Sequence, residues 1–342
     1  MARPDNPLPD ATADMPPGLI ADIGGTNARF ALANALGGIR DERVLACKDH
    51  AGPLEAAQAY LAAIGYDGPP PLRAAFCVAC PITEDRIALT NGPWAFSQQE
   101  TKAALGLERL MLVNDFAAQA LGVPHLGPKD IIAIAGPDRA AETVGAAPIA
   151  VIGPGTGLGV GLLVPGGHGR MIPVSTEGGH VTLAARTNHE AEVIAVMRRD
   201  RLGLDAENSD HVSAEACLSG TGLPGLYRAV CAVAGQDPEP LTAADIMDRG
   251  TIGQCPRCAE TADLFFAFLG TVSGNLVLSG GTRSGCTLMG GILPRYVDAL
   301  KASAFHDRFL DKGRFRAYMA AVPIQLGIHP FPALLGLAAL TR

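Results

Sequence analysis

The chain has 342 residues, 48% hydrophobic and 18% charged, with a net charge of −7. That length fits one large domain or two ordinary ones around a sizeable core, and the acidic balance excludes a bulk basic footprint for nucleic acid. Lys and Arg form no run, which argues against a polybasic membrane patch.

Residues 1–17 are Pro-rich and polar and lack an apolar h-region. They read as a disordered leader rather than a signal peptide, so the expected location is cytoplasmic. Hydrophobic periodicity then predicts three consecutive strands at 18–25, 28–34 and 42–47, and a helix at 53–65. A buried strand is predicted at 73–80. A helix follows at 97–105, with Ser97 as N-cap and Glu100 three positions on. Residues 107–115 read as a short strand ending at Asn114-Asp115, and a helix opens directly after it.

The stretch 144–167 carries no charge but is interrupted by glycines and prolines, so it reads as buried strands joined by a tight turn rather than a membrane span. Strands are expected at 147–153 and 158–164 around Gly-Pro-Gly-Thr-Gly, and helices at 189–201, 255–280, 294–303 and 331–341. Residues 285–297 read as strand, glycine turn, helix, and the polar segment 199–211 as a surface excursion. Strands followed by alternating helices and strands give an α/β fold with mixed sheets.

Eight cysteines without a secretory context are expected to be reduced thiols. Two CxxC pairs occur, Cys77/Cys80 and Cys255/Cys258. On a strand that spacing points the first pair to opposite faces, which argues against zinc chelation.

Two segments share a pattern. "IADIGGTNARFAL" and "VIGPGTGLGVGLL" each read strand, Gly/Thr-rich turn, strand. A tight glycine turn can present backbone N–H groups to an anion. Gly24 and Gly25 permit positive φ and close approach of an oxygen, Thr26 offers a hydroxyl, and Asp22 suits Mg²⁺ through water. An ordinary Gly-Gly β-hairpin is the competing reading.

Asp115, at a strand's carboxyl end, is placed to take a proton from a hydroxyl, or else simply caps its helix. Glu177 and His180 flank a Gly-Gly turn that lets backbone approach a sugar ring. Glu215 is expected in a short helix before Gly220, and Gly290-Gly291 lie between a strand and a helix starting near Pro294.

These elements occur together and in order. The chain reads D-x-G-G-T-N, A-C-P-I-T, T-N-x-x-W-x-F-S, N-D-F, G-x-G-T-G-L-G, E-G-G-H, S-A-E-x-x-L-S-G, G-G-I-x-P-R and D-K-G-R-F. The set resembles the bacterial glucokinase family of ATP-dependent hexokinases, the branch without a zinc-binding cysteine motif, over residues 18–342.

The resemblance implies an actin-like ATPase (ribonuclease H-like) fold with two lobes of mixed sheets flanked by helices and a cleft between them. Residues 18–125 with 330–342 would form the smaller domain and 126–329 the larger. It implies phosphorylation of D-glucose at the 6-hydroxyl by Mg²⁺-ATP, the first step of glycolysis, in a cytoplasmic homodimer.

Under the same resemblance Asp115 is the general base. Asn114, Asp115, Glu177, His180 and Glu215 hold the sugar. Gly24, Gly25, Thr26 and Asn27, then Gly155, Thr156 and Gly157, hold the phosphates. Asp22 lies near the metal, and Gly290 and Gly291 near the adenosine. Two rivals stay open: a regulatory actin-like ATPase, and a kinase for another sugar. The Arg283-Ser284 pair and the leader depart from the family pattern.

Overall fold

The computed structural model describes residues 16–80, 82, 84–89, 92–138, 146–167, 170–204 and 210–342. The expected leader up to residue 15, Pro81 and Thr83 of A-C-P-I-T, Thr90 and Asn91 of T-N-x-x-W, and 205–209 of the polar excursion lie outside them. The described chain divides into two compact units, residues up to His125 with Pro330–Arg342, and Leu126–His329.

In chain order the first unit holds β1 (Gly18–Ile23), β2 (Asn27–Ala33), β3 (Ile39–Ala46), α1 (Pro53–Ala63), β4 (Arg73–Val78), β5 (Arg86–Ala88), β6 (Ala95–Ser97), α2 (Gln98–Ala104), β7 (Arg109–Asn114) and α3 (Asp115–Gly122). The second holds β8 (Ile131–Ala135), β9 (Ile149–Pro154), β10 (Leu158–Pro165), β11 (Met171–Ser175), α4 (Asn188–Arg199), α5 (Leu223–Val233), α6 (Ala243–Thr251) and α7 (Pro256–Gly280). It continues with β12 (Cys286–Leu288), α8 (Val297–Ala302), α9 (Phe305–Leu310), α10 (Arg316–Ala320) and β13 (Ile324–Gly327). The last helix, α11 (Pro332–Leu340), returns to the first unit.

The first sheet runs β3-β2-β1-β4-β7, with β1–β3 antiparallel and β1, β4 and β7 parallel. Side chains alternate along β1, so it buries residues on both faces. Leu19, Ala21 and Ile23 pack with Phe30, Phe76 and Tyr60 of α1. Ile20 packs on the other face with Ala75, Cys77, Ala118 of α3 and Leu334 and Leu337 of α11. The α3–α11 contact is close because both helices spend glycines on it. A Cβ at Gly336 would lie 2.0 Å from the Ala118 carbonyl oxygen, and one at Gly122 2.2 Å from that of Pro332.

The second sheet runs β11-β10-β9-β12-β13-β8, with β9–β11 antiparallel and β9, β12 and β13 parallel. The order of the first sheet thus recurs, with β8 added at one edge. The repeat read from two strand-turn-strand segments extends to whole sheets. Its core is aromatic, with Phe265, Phe268, Phe305 and Phe309 fully buried.

Most expected elements are present with shifted ends. Ser97 caps α2 as expected, accepting from the Glu100 N–H at 3.1 Å. The uncharged stretch forms β9 and β10 over its described part. Three readings are corrected. The helix expected at 294–303 is a 3₁₀ turn at Leu293–Arg295 followed by α8, broken at Tyr296. The strand expected to reach Cys80 ends at Val78, so the opposite-face argument does not apply to Cys80, although both thiols are buried. Glu215 lies in successive hydrogen-bonded turns rather than a helix, because Leu218 N–H closes one α-turn onto Ala214 and the chain does not continue it.

Helix α7 is the one described helix long and apolar enough to cross a membrane, and 72% of its most apolar window is buried inside the fold.

Candidate active site

In the first unit the candidate residues gather at the carboxyl ends of β1, β4 and β7. Parallel pairing sets Asp22 beside Cys77, and Val78 beside Asn114. By strand alternation Asp22 projects to the α3 and α11 face, the face that also carries Cys77.

The Cys77 thiol donates to Asp22 Oδ1 at 3.3 Å. Burial pushes this thiol well above its usual range, and the negative charges of Asp22 and Asp115 push the same way. Cys77 is therefore a protonated donor, held where two carboxylates both act on it. The other Asp22 oxygen lies 3.7 Å from the guanidinium of Arg29, its partner across the hairpin. Arg29 stacks over the Phe331 ring, 4.3 Å from its centroid. Asp22 is thus oriented from two sides.

The Gly24–Asn27 turn closes on itself through Gly24 N–H to the Asn27 carbonyl at 2.9 Å. It is anchored by Cys47 N–H to the Thr26 carbonyl at 2.8 Å. Neither Gly24 nor Gly25 has positive φ. That part of the expectation is corrected: a Cβ at 24 would sit 3.3 Å from the Asn27 carbonyl oxygen, a tight contact rather than a conformational demand for glycine. The Gly24 N–H is spent on the turn. Thr26 and Asn27 are exposed, and Asn27 opens β2.

Asn114, rather than Asp115, caps α3. Its Oδ1 accepts from Phe116 N–H at 2.9 Å and Ala117 N–H at 3.3 Å. That leaves its amide NH₂ as the group suited to donate to a ligand. Asp115 is the first helical residue and accepts from Phe116 N–H at 2.7 Å. Its carboxylate therefore sits in the positive field of a helix start.

In the second unit the candidates gather around the β9–β10 turn. Gly155 N–H closes the turn onto the Gly157 carbonyl at 2.8 Å. Gly220 N–H braces the Gly155 carbonyl at 2.8 Å, and the Thr221 hydroxyl braces that of Thr156 at 3.1 Å. The Glu215 carboxylate accepts from Leu158 N–H at 2.6 Å. Gly157 is glycine for that reason: a Cβ there would lie 2.5 Å from Glu215 Oε2.

The E-G-G-H turn joins the same cluster. Glu215 N–H donates to the Gly179 carbonyl at 2.9 Å, and a Cβ on Gly179 would meet the Leu158 carbonyl oxygen at 2.2 Å. Glu177 and His180 flank a 3₁₀ turn closed by His180 N–H to the Glu177 carbonyl at 3.0 Å, and His180 is exposed. Gly290, at φ +89°, lies against the end of β9, where a Cβ would sit 2.4 Å from the Pro154 carbonyl oxygen. The Gly290-Gly291 turn therefore adjoins the Gly155–Gly157 loop.

From sequence Cys77 reads only as half of a CxxC pair, and Arg29 and the Gly220-Thr221 brace carry no role. Arg29 was within reach of the sequence, because Asp22 and Arg29 are equidistant from the hairpin's turn. The brace lies 65 residues from the loop it supports and leaves no local signal. Among the described residues no group of three or more His, Cys, Asp or Glu could hold a metal ion.

A family model described as Glucokinase matches residues 19–342. The glucokinase of Paramagnetospirillum magneticum is 48% identical over 322 residues, covering 94% of this chain and 96% of that protein. That of Aromatoleum aromaticum is 45% identical over 333 residues, covering 97% and 96%. The crystal structure of a glucokinase from an Antarctic psychrotroph matches with a TM-score of 0.85 at 35% identity, covering 96% of this chain and 99% of that one.

Proposed function

The chain belongs to the glucokinase family and has its actin-like ATPase fold, and on that premise we propose that it transfers the γ-phosphoryl group of ATP to the 6-hydroxyl of D-glucose with Asp115 as general base. The observation that carries this reading is the placement of Asp115 at the carboxyl end of β7, beside Cys77, Asp22 and the first Gly/Thr turn.

Transfer of this kind depends mainly on positioning and charge neutralisation. Asp115 accepts the hydroxyl proton as the oxygen attacks phosphorus, which is worth on the order of 10²–10⁴ in rate. The Asn114 amide, Glu177, His180 and Glu215 take the remaining sugar hydroxyls. A hydrogen bond to a charged group is worth about 1.5–3 kcal/mol, so a sugar lacking one partner is disfavoured. Gly25, Thr26 and Asn27, and Thr156 and Gly157, receive the phosphate oxygens, while the N–H groups of Gly24 and Gly155 hold the two turns closed. Gly290 and Gly291 give the adenosine ring a side-chain-free surface.

A magnesium ion arriving with the nucleotide fits this donor set. A single oriented carboxylate, Asp22, suits an ion held chiefly by phosphate oxygens and water rather than a protein cage. Such an ion supplies charge neutralisation at the phosphates. Homodimerisation and a cytoplasmic location belong to the same proposal, on the family resemblance.

The test is ADP release from Mg·ATP against a panel of sugars, with a no-sugar control and Asp115→Asn. Turnover with glucose that the variant loses is the expected result. Turnover indifferent to sugar overturns the reading and leaves a regulatory ATPase. Preference for a different hexose redirects it to another sugar.

A further inference from the structure

Seven of the eight cysteines are buried, and Cys255 alone is partly exposed; all eight lie within the described residues. Cys255 is the N-cap of α7, in extended conformation at φ −131°, with Pro256 at the first helical position. Its Sγ accepts the backbone N–H of Cys258 at 3.3 Å, as a Ser or Asp oxygen would at this position. Cys255 also packs against the buried cluster that holds Cys258, three residues on.

Cys258 itself is fully buried in a small satellite cluster with Tyr227, Cys231 and Ile246. Helix α6 closes over its backbone: a Cβ at Gly250 would lie 2.4 Å from the Cys258 carbonyl oxygen. A partly exposed cysteine thus caps the helix, and a buried one stands one turn behind it in the same cluster. None of the roles proposed above uses either.

We propose that Cys255 and Cys258 form a redox-active dithiol, which a low-molecular-weight disulfide oxidises to an intramolecular disulfide across the first turn of α7. This goes beyond the kinase reading and does not rest on it. Cys255 attacks, because only it is reachable, and the thiolate is the reacting form. Partial burial pushes its thiol up, but the hydrogen bonds from the Cys258 thiol and from the Cys258 and Arg257 N–H groups outweigh that and leave it below the ordinary range. Burial and donation to Cys255 push Cys258 up to about 12, as befits a resolving thiol that stays protonated until the first exchange.

The chemistry balances. Cys255 Sγ bonds to one sulfur of the external disulfide, whose S–S bond breaks and releases one thiolate. That thiolate takes the Cys258 proton. Cys258 Sγ then bonds to Cys255 Sγ and expels the second thiolate. Two protein thiols are oxidised to one disulfide, and the external disulfide is reduced to two thiols.

The experiment incubates the reduced full-length chain with oxidised and reduced glutathione at stepped ratios without oxygen. It then quenches with acid, alkylates with iodoacetamide and maps peptides by mass spectrometry. Expected is the loss of two hydrogens per chain, joint protection of Cys255 and Cys258 from alkylation, and a 255–258 linked peptide. Cys258→Ser should instead accumulate a stable glutathione adduct on Cys255. Cys255→Ser, which keeps an N-cap acceptor, should react at neither position. Both cysteines remaining alkylatable in the wild-type chain, an unresolved adduct there, or a link to Cys231 would overturn the proposal. The readout is the bond itself, so failure of sugar phosphorylation leaves this result standing.

Discussion

The two Gly/Thr turns look alike in sequence and occupy the same position in their sheets, yet they are held differently. The Gly24–Asn27 turn is closed by its own backbone, and its acid is oriented by the cross-hairpin Arg29 and by Cys77. The Gly155–Gly157 turn also closes on itself, but where the first turn is anchored by Cys47 it is braced by several distant segments: Glu215 on Leu158 N–H, Gly220 and Thr221 on its carbonyls, and Gly290 against Pro154. The wider second unit follows the same habit. Glu190 of α4 and Arg308 of α9, 118 residues apart, form a buried ion pair with a second contact at 3.2 Å. A turn braced by several distant segments is exposed to change at each of them.

The largest effect should come from the proposed general base. Asp115→Asn is expected to lower turnover by about 10²–10⁴ with the thermal midpoint close to wild type. An unchanged rate would remove the base and, with it, the asymmetry between the units' roles.

Next is the long-range tie in the second unit. Burial raises the Glu190 pKa, but hydrogen bonds from Arg308 and from the Arg186 and Thr187 groups outweigh this and leave it lowered. A carboxylate depressed in the folded state adds stability that is present above its unfolded value, about 4.3, and is lost as pH falls through the folded one. Glu190→Gln leaves Arg308 buried without its counter-charge. It should therefore cost about 3–5 kcal/mol near neutral pH, and the gap from wild type should narrow in acid. Urea unfolding at stepped pH reads both. A gap independent of pH would show that packing, not charge, is what the pair contributes.

Gly290→Ala against Gly24→Ala tests the contrast directly. The first places a Cβ at φ +89° and 2.4 Å from a backbone oxygen; the second meets ordinary φ and 3.3 Å. Strain of about 1–3 kcal/mol is expected for Gly290→Ala and clearly less for Gly24→Ala, read as unfolding midpoints. Equal losses would mean the two turns are equally constrained.

The smallest effect sharpens the role of Glu215. Glu215→Gln keeps an acceptor for Leu158 N–H but gives up the charge, a difference of about 1 kcal/mol per hydrogen bond. A rise in KM for glucose at near-constant KM for ATP is expected. A rise for ATP alone would make Glu215 a brace of the phosphate turn and no more.

The sequence determined whatever is encoded within a few residues. The hairpin around Gly24-Gly25, the Ser97 cap, the Asn114-Asp115 strand end and the charge-free β9–β10 pair were legible, because hydrophobic period, capping chemistry and turn composition are local. Short strands such as β8, β11 and β13 escaped, being too brief for a period to show, and β11 carries a proline. Glu215 was misread as helical because its backbone is committed to Gly179 and Leu218, and its side chain to Leu158. Only the tertiary structure decided that Cys77 orients Asp22, that Gly157 makes room for a carboxylate, and that Asn114 rather than Asp115 caps α3. Those outcomes depend on which atoms compete for one donor or one volume: in the first two the groups lie tens of residues apart in the chain, and in the third two neighbours share the Phe116 N–H.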